Sequence, residues 1–415
     1  MQSKVVKEEV SFYSWYALGL LTFVYILNFL DRTIILYVFP LIKKEFTFSD
    51  LQLSLLGTTA FVIFYTTLGV SFGRLADRKS RVKIIAYGLA VWSLFTGLTG
   101  FAWDFWSLFL CRLMVGIGEA TLGPAAISLL SDYFPQSRRA TVTSIYSMGI
   151  ALGAGFASFF GGLIGELYGW RAAFYILGFP GILVAVLVYL LHEPQRQNDV
   201  TQISTYSSSD WKQLLKNKPF ILLCIGYAFL GLATNNLSIW GASFYNRLHG
   251  FDLITIGFWG GVLTLLAGIP ATLFGGAFAD FFKRTRKGGR MLYGALVSSL
   301  SIPFWIIWLT TSNPLLILTA NAVLLFLALS WLGAAAADAT ELAGSNLRGL
   351  AVAIYFFCVN IFAYLIGSNL IGYLSDLLGA TSNPSMMRYS LIVCPISCAL
   401  AAICLLIGSC IMENQ

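Results

Sequence analysis

The sequence predicts an all-α membrane protein with twelve transmembrane helices in two pseudo-symmetric six-helix bundles. Three observations carry this. The chain is 58% hydrophobic and only 11% charged, and it holds many apolar runs of the roughly 20-residue length that crosses a bilayer, more than a soluble core requires. Basic residues gather in alternate loops. The second half of the chain repeats landmarks of the first at a nearly constant offset.

The opening segment MQSKVVKEEV is polar and charged, and the apolar run after it is too long for a signal-peptide core, so no cleavable signal is expected. Spans are expected at 14–42, 50–73, 82–101, 104–133, 138–167 and 170–191, and then at 218–248, 253–282, 290–311, 314–341, 346–376 and 388–411. Arg74, Arg78, Lys79, Arg81, Lys83, Arg138, Arg139, Arg196, Lys212, Lys216, Lys218, Lys283, Arg284, Arg286, Lys287, Arg290 and Arg348 fall on one side with Lys4 and Lys7. Only Lys43, Lys44, Arg171, Arg247 and Arg388 fall on the other. The positive-inside rule makes the richer side cytoplasmic, with both termini there, and a bacterial inner (plasma) membrane is the expected location. The rule also accounts for the net charge of +7, because the basic residues are scattered over short loops and form no face for nucleic acid.

Between the sixth and seventh spans, HEPQRQNDVTQISTYSSSDWKQLLKNKP is the longest polar segment and reads as a linker with a short surface helix at Asp210 to Leu215. It divides the chain into an N-terminal bundle, 1–194, a cytoplasmic linker, 195–217, and a C-terminal bundle, 218–415. The halves read as copies. GRLADRKSRVK from Gly73 is echoed by GAFADFFKRTRKGGR from Gly276, with Asp77 and Asp280 at the same offset of 203, and Tyr146 is echoed by Tyr355 at 209. Parallel repeats around a mid-membrane site are a transporter architecture whose halves rock about that site.

Intramembrane charge is the candidate chemistry. Charged side chains in hydrocarbon are expensive and mark pathways or paired sites. Arg112 and Glu119 are seven residues apart, almost two helical turns, which puts them on one face of the fourth span. Asp31 lies in the first span. Counted from the expected span ends, Arg112 is about 12 Å deep, Asp31 about 16 Å and Glu119 about 22 Å. The reading is proton coupling, with Asp31 and Glu119 as carriers and Arg112 as their switchable partner; the competing reading is an ion pair that only holds helices together. Arg32, about 100° around the helix from Asp31, is expected to face a neighbouring span and not the cavity wall.

The seven cysteines sit in or beside apolar spans without metal-ligand spacing, and the two histidines lie at span ends. No nucleophile with its base, no metal cluster and no nucleotide loop is legible, so neither an enzyme nor a cofactor is expected; the coupling ion is the proton. By the repeat, Arg112 and Glu119 correspond to Asn321 and Ala328, and Asp31 to Thr234. The second half therefore offers a nearly uncharged cavity face of Thr234, Asn235, Asn236, Trp240, Tyr355 and Asn360, opposite Arg112. A half-polar, half-apolar cavity suits an amphipathic solute. Glycine pairs such as Gly149/Gly153 and Gly257/Gly261 allow close backbone contact where the halves move.

Gly73, Leu75, Ala76, Asp77, Arg78 and Arg81 match the G-x-L-A-D-R-x-G-R loop motif, with Ser80 in place of its second glycine. On this motif and its second copy at Asp280 the chain resembles the major facilitator superfamily. NFLDR at Asn28 to Arg32, RLMVGIGEA at Arg112 to Ala120, the Ser131 to Ser144 loop and EPQR at the end of the first half make it similar to the Spinster branch. Gly153 is followed by Ala154, so the Gly-Pro of multidrug antiporters is missing. The resemblance implies proton use at the positions of Asp31, Glu119 and Arg112, and a lysolipid or sphingoid-type substrate. The cytoplasmic motif is read as a gate, with Asp77 at the amino end of the eleventh span and Arg81, Asp132 and Arg139 as its supporting charges. A monomer in contact with membrane lipid is expected. The alternatives are a proton-coupled symporter of small organic anions whose carboxylate meets Arg112, and a non-transporting sensor on the same fold.

Overall fold

The computed structural model describes residues 10–195 and 214–414. Twelve helices are long and apolar enough to cross a membrane: α1 (Phe12–Tyr37), α2 (Asp50–Gly69), α3 (Arg81–Thr99), α4 (Phe105–Tyr133), α5 (Gln136–Tyr168), α6 (Trp170–Tyr189), α7 (Lys218–His249), α8 (Leu253–Thr285), α9 (Gly289–Thr310), α10 (Pro314–Gly344), α11 (Leu347–Leu377) and α12 (Pro384–Glu413). No strand occurs among the described residues. In hydrocarbon every backbone N–H and C=O must be satisfied within the segment, and a helix does this on its own. Residues 196–213 of the linker expected at 195–217, and with them most of its surface helix at 210–215, lie outside the described residues.

Local chemistry sets where the spans begin. Ser49 accepts from the Gln52 N–H while the Gln52 side chain accepts from the Ser49 N–H, a capping box that starts α2. Asp104 and Ser107 do the same for α4, Asp252 accepts from the Thr255 N–H to start α8, and Asn313 with Pro314 starts α10. The first span ends at Tyr37, earlier than the expected residue 42, because Pro40 cannot continue the ladder; the chain restarts as a short helix, Phe39–Phe46, with the proline in its first turn. Gly344, at φ +71°, breaks the chain between α10 and α11 in a conformation that side chains rarely adopt. Spans two and eleven each contain a wide π turn, Leu55–Thr59 and Ile361–Gly367, and these two turns face one another.

Within the first half α1 packs along α5 and α3 along α4 and α6; within the second, α7 packs along α11 and α12, and α9 along α12. The halves meet on one flank through α5 and α8 and on the other through α2 and α11. The α5–α8 seam is backbone on backbone. A methyl group on Gly162 would stand 2.2 Å from the Leu253 carbonyl oxygen, and one on Gly257 would stand 2.6 Å from that of Ser158. Ser158 Oγ donates to the Gly257 carbonyl at 2.9 Å across this contact. Close approach of this kind replaces the hydrophobic drive that membrane helices lack between one another.

Gly162→Ala is therefore expected to destabilise the protein by about 1–3 kcal/mol through overpacking. Gly123→Ala, which meets nothing within 4 Å, is expected to leave stability unchanged or raise it. Thermal melting followed by size-exclusion chromatography in detergent checks the pair.

Candidate functional site

The first and fourth spans come together around charge, with partners other than those expected. Glu119, 1% exposed, receives both Arg32 Nε at 3.0 Å and Arg32 Nη2 at 2.8 Å on a single oxygen, Oε2; Oε1 has no partner. Arg32 is also stacked against Phe29, Phe61 and Tyr65, with its guanidinium carbon 4.4–4.8 Å from the ring centres. The reason is reach. A guanidinium on a three-carbon stem travels far from its Cα, so 100° of helical rotation does not keep Arg32 out of a site that Asp31 was expected to share with Glu119. The spacing of Asn28 and Arg32, one turn apart, carries the missed signal: Arg32 Nη2 lies 3.5 Å from Asn28 Oδ1.

Arg112 does not meet Glu119. Fully buried, it donates from Nη1 to the Asp31 carbonyl at 3.1 Å and from Nη2 to the Arg32 carbonyl at 2.9 Å, bracing the backbone of α1. Asp31 is 1% exposed, and its Oδ1 has no partner. Asp31 lies on the turn of α1 whose carbonyls Arg112 takes up, next to the residue that reaches Glu119. Glu119 closes the first stretch of α4, Phe105–Glu119, before a break at Ala120 and Thr121. Gly116 and Gly118 let this stretch lie against Phe61 of α2 and Trp92 of α3, where a Cβ would come within 2.5 and 2.8 Å.

In the second half Thr234, Asn236, Trp240 and Tyr355 are buried in packing rather than open to a cavity. Asn236 Nδ2 donates to the carbonyls of Leu232 (2.8 Å) and Ala363 (3.3 Å), tying α7 to the π turn of α11. Asn235 and Asn360 are half-buried. Asn235 Oδ1 accepts from the Tyr364 hydroxyl at 2.7 Å, and Tyr364 is an electrostatic neighbour of Arg32, so the halves face one another here through a residue that sequence reasoning missed. Tyr25 and Tyr65 belong to the same surroundings, and Tyr25 stacks on Tyr146 with ring centres 4.3 Å apart.

At the end of the molecule away from the termini the halves are clasped. Asp50, fully buried, accepts from Lys43 Nζ (2.5 Å), Arg247 Nη1 and Nη2 (2.8 and 2.7 Å) and Ser375 Oγ (2.5 Å). In return Asp376 caps the amino end of α2, accepting from the N–H groups of Asp50 (2.7 Å) and Leu51 (2.9 Å). Deeper along the same flank, Ser54 meets Ser368 at 2.7 Å, Asn369 donates to Thr59 at 2.7 Å, and Thr58 donates to the Tyr364 carbonyl at 2.9 Å. The signal for this clasp is in the sequence: Gly372, Leu374 and Asp376 repeat the spacing of Gly73, Leu75 and Asp77.

At the end bearing the termini, no hydrogen bond or ion pair between described residues joins the two halves. Arg74, Asp77 and Arg78 are exposed, and Asp77 has no partner on α11 among them. Gly73 packs against Pro124. Arg81 is buried and pairs with Asp132 through Nη1 and with Glu193 through Nε (2.8 Å), while Arg139 Nε donates to the Ser131 carbonyl at 3.1 Å. Glu193 was not foreseen. It also accepts from Ser80 Oγ and the Val82 N–H, at 2.7 and 3.0 Å. Burial works against its charge, but these donors, Arg81 first, hold its carboxyl below the usual range. Asp280 pairs with Arg290 at 2.7 Å. No group of three or more His, Cys, Asp and Glu side chains among the described residues is placed to hold a metal ion.

Comparisons with known proteins agree with this fold. The model of the family described as Major Facilitator Superfamily matches residues 21–367. An MFS-type efflux pump of Mycolicibacterium smegmatis is 28% identical over 380 residues, covering 88% of this chain and 85% of that protein. A probable sphingolipid transporter of Arabidopsis thaliana, spinster homolog 2, is 29% identical over 264 residues; the match covers 59% of this chain and about half, 53%, of that relative. Among solved structures, a bacterial homolog of the human lysosomal transporter Spinster, in an inward-facing and unoccupied conformation, superposes with a TM-score of 0.82 at 26% identity, over 98% of this chain and 97% of that one.

Asp50→Asn removes the charge that Lys43 and Arg247 share and is expected to part the clasp; breaking one side of a buried pair costs about 3–5 kcal/mol. Pulsed electron paramagnetic resonance between spin labels at Lys44 and Thr381 should show a longer distance in the variant. The stabilisation from Glu193, whose carboxyl is held low, is fully present above about pH 4.3, the ordinary glutamate value, and is lost as the pH falls further. Glu193→Gln is expected to flatten that acid-side loss in melting temperature measured from pH 6 to pH 3.

Proposed function

We propose that this chain, which belongs to the Major Facilitator Superfamily, couples the movement of an amphipathic, lipid-like solute to protons, with Glu119 as the carboxylate that loads and unloads. The chain is a membrane transporter of the Spinster type; the substrate class and the coupling are the proposal. The observation that carries it is the Arg32–Glu119 pair, in which a buried carboxylate uses one oxygen, keeps the other free, and is neutralised by a single arginine held from a different helix.

Arg32 is the switch in this reading, and Arg112 is the brace that fixes the α1 backbone at Asp31 and Arg32. When Arg32 turns toward a substrate headgroup, Glu119 is left buried without its ion-pair partner and takes up a proton. When the headgroup leaves, Arg32 returns and the proton is released. One charge moved through 100 mV is worth about 2.3 kcal/mol, enough to drive a useful gradient. Aromatic faces around Arg32 suit an acyl tail beside a polar head. Lysolipid or sphingoid-type solutes fit that division, and a relative carries a sphingolipid transporter name.

The basic loops favour a cytoplasmic location for the end bearing the termini, and a bacterial inner membrane suits the chain. The far end, clasped through Asp50 and Asp376, is then the outer end, and closure there is read as the inward-facing arrangement, as in the solved Spinster homolog. Arg112, closed in by two carbonyls, is not available to a substrate carboxylate; an organic-anion symporter would have to use Arg32, whose side chain is 18% exposed.

Glu119→Gln is expected to lower pH-gradient-driven flux in proteoliposomes by at least tenfold while leaving the protein monodisperse. Flux screened over lysolipids, sphingoid bases and short carboxylates identifies the class, and an unchanged pH dependence in the variant removes the mechanism.

A further inference from the structure

A second buried carboxylate lies far from the central pair. Asp338, on α10 toward the end bearing the termini, is 1% exposed, and neither of its oxygens has a hydrogen-bond donor. The nearest cation is Arg290 Nη1 at 3.5 Å, and that guanidinium is already engaged, with Asp280 at 3.1 and 2.7 Å through Nε and Nη2 and with Glu341 at 3.2 Å. Lys283 pairs with Glu341. On the remaining side stands Tyr227 of α7, whose hydroxyl lies 3.4 Å from the Arg290 carbonyl and donates to it, leaving Asp338 unserved.

Three carboxylates thus face two cations, and one negative charge is left over. Asp280 and Glu341 have side chains 57% and 46% exposed, so water solvates them. Asp338 has neither water-facing surface nor donor, and a carboxylate in that position is neutralised rather than kept ionised. The internal repeat sharpens the point. An offset of 209 residues carries Arg81 to Arg290 and Asp132 to Glu341, so the same clasp is built twice, but it carries Leu129 to Asp338. Leu129 is fully buried. The first bundle closes this corner with an apolar side chain, so packing alone does not call for a carboxyl group in the second.

We infer that Asp338 is a second proton-binding site, in the C-terminal bundle, that holds its proton while Asp280 and Glu341 occupy Arg290 and gives it up when Arg290 is freed. The inference rests on the transporter reading for its purpose, but not for its test. The proton comes from the solution at the end bearing the termini and returns there; no covalent step is involved.

Infrared titration of the full-length protein in lipid nanodiscs, without substrate or gradient, reads the site directly. A carboxylic-acid C=O absorption is expected at neutral pH in the unsubstituted protein, with a component that is retained in Glu119→Gln and in Asp31→Asn and lost in Asp338→Asn. Asp280→Asn, which frees Arg290, is expected to weaken the band. Asp338→Leu, copying Leu129, is expected to lose the same component and melt no lower than the unsubstituted protein; if Asp338→Asn does not fold, this variant supplies the comparison. Identical bands with and without Asp338 overturn the inference. Because the band needs no transport, its presence in a protein that shows no flux separates failure of the transport reading from failure of this one.

Discussion

A charge in hydrocarbon must find a partner, and the Arg32–Glu119 pair is where this protein meets that requirement at its centre. Much of the N-terminal bundle serves to hold it. Gly116 and Gly118 allow α4 to approach α2 and α3 closely enough to place Glu119, and Arg112 uses both terminal nitrogens to fix the stretch of α1 from which Arg32 departs. The pair is strong where it is made, but only one carboxylate oxygen takes part. A pair so placed is stable as long as the arginine stays and costly as soon as it leaves, which is the property a coupling site needs.

The two ends of the molecule are treated differently by the same chemistry. Away from the termini, Asp50 gathers donors from both halves and Asp376 returns two hydrogen bonds to the α2 backbone. Near the termini, Arg81 and Arg290 each collect acidic partners inside their own half. The first arrangement joins the bundles, and the second stiffens each bundle separately.

The twelve spans and their repeat were legible because bilayer thickness and backbone satisfaction leave few alternatives, and those constraints act on composition and length. Partner identity was not legible to the same degree. Sequence spacing gives the direction of a Cα–Cβ bond, and for Asp132 with Arg81 that was sufficient. It does not give the end point of an arginine, so spacing alone turns Arg32 away from the cavity wall and pairs Arg112 with Glu119. Backbone carbonyls are invisible as targets in a sequence, which is why the actual hydrogen bonds of Arg112 could not be anticipated. Polar residues of the second half were placed on a cavity wall by the repeat, but Asn236, Trp240 and Tyr355 are consumed by packing between α7 and α11 or within the bundle. Pro40 is the readable sign that α1 stops early.

The glycine contact between α5 and α8 bears on what resists motion. Interlocked side chains would have to leave their rotamers before one helix could roll over another, and each would add its own barrier. Between Gly162 and Gly257 there are no such teeth to disengage. On that flank the bundles are held by two hydrogen bonds, from Ser158 to the Gly257 carbonyl and from the Leu253 N–H to Glu166, whereas the opposite flank carries the ionic knot around Asp50.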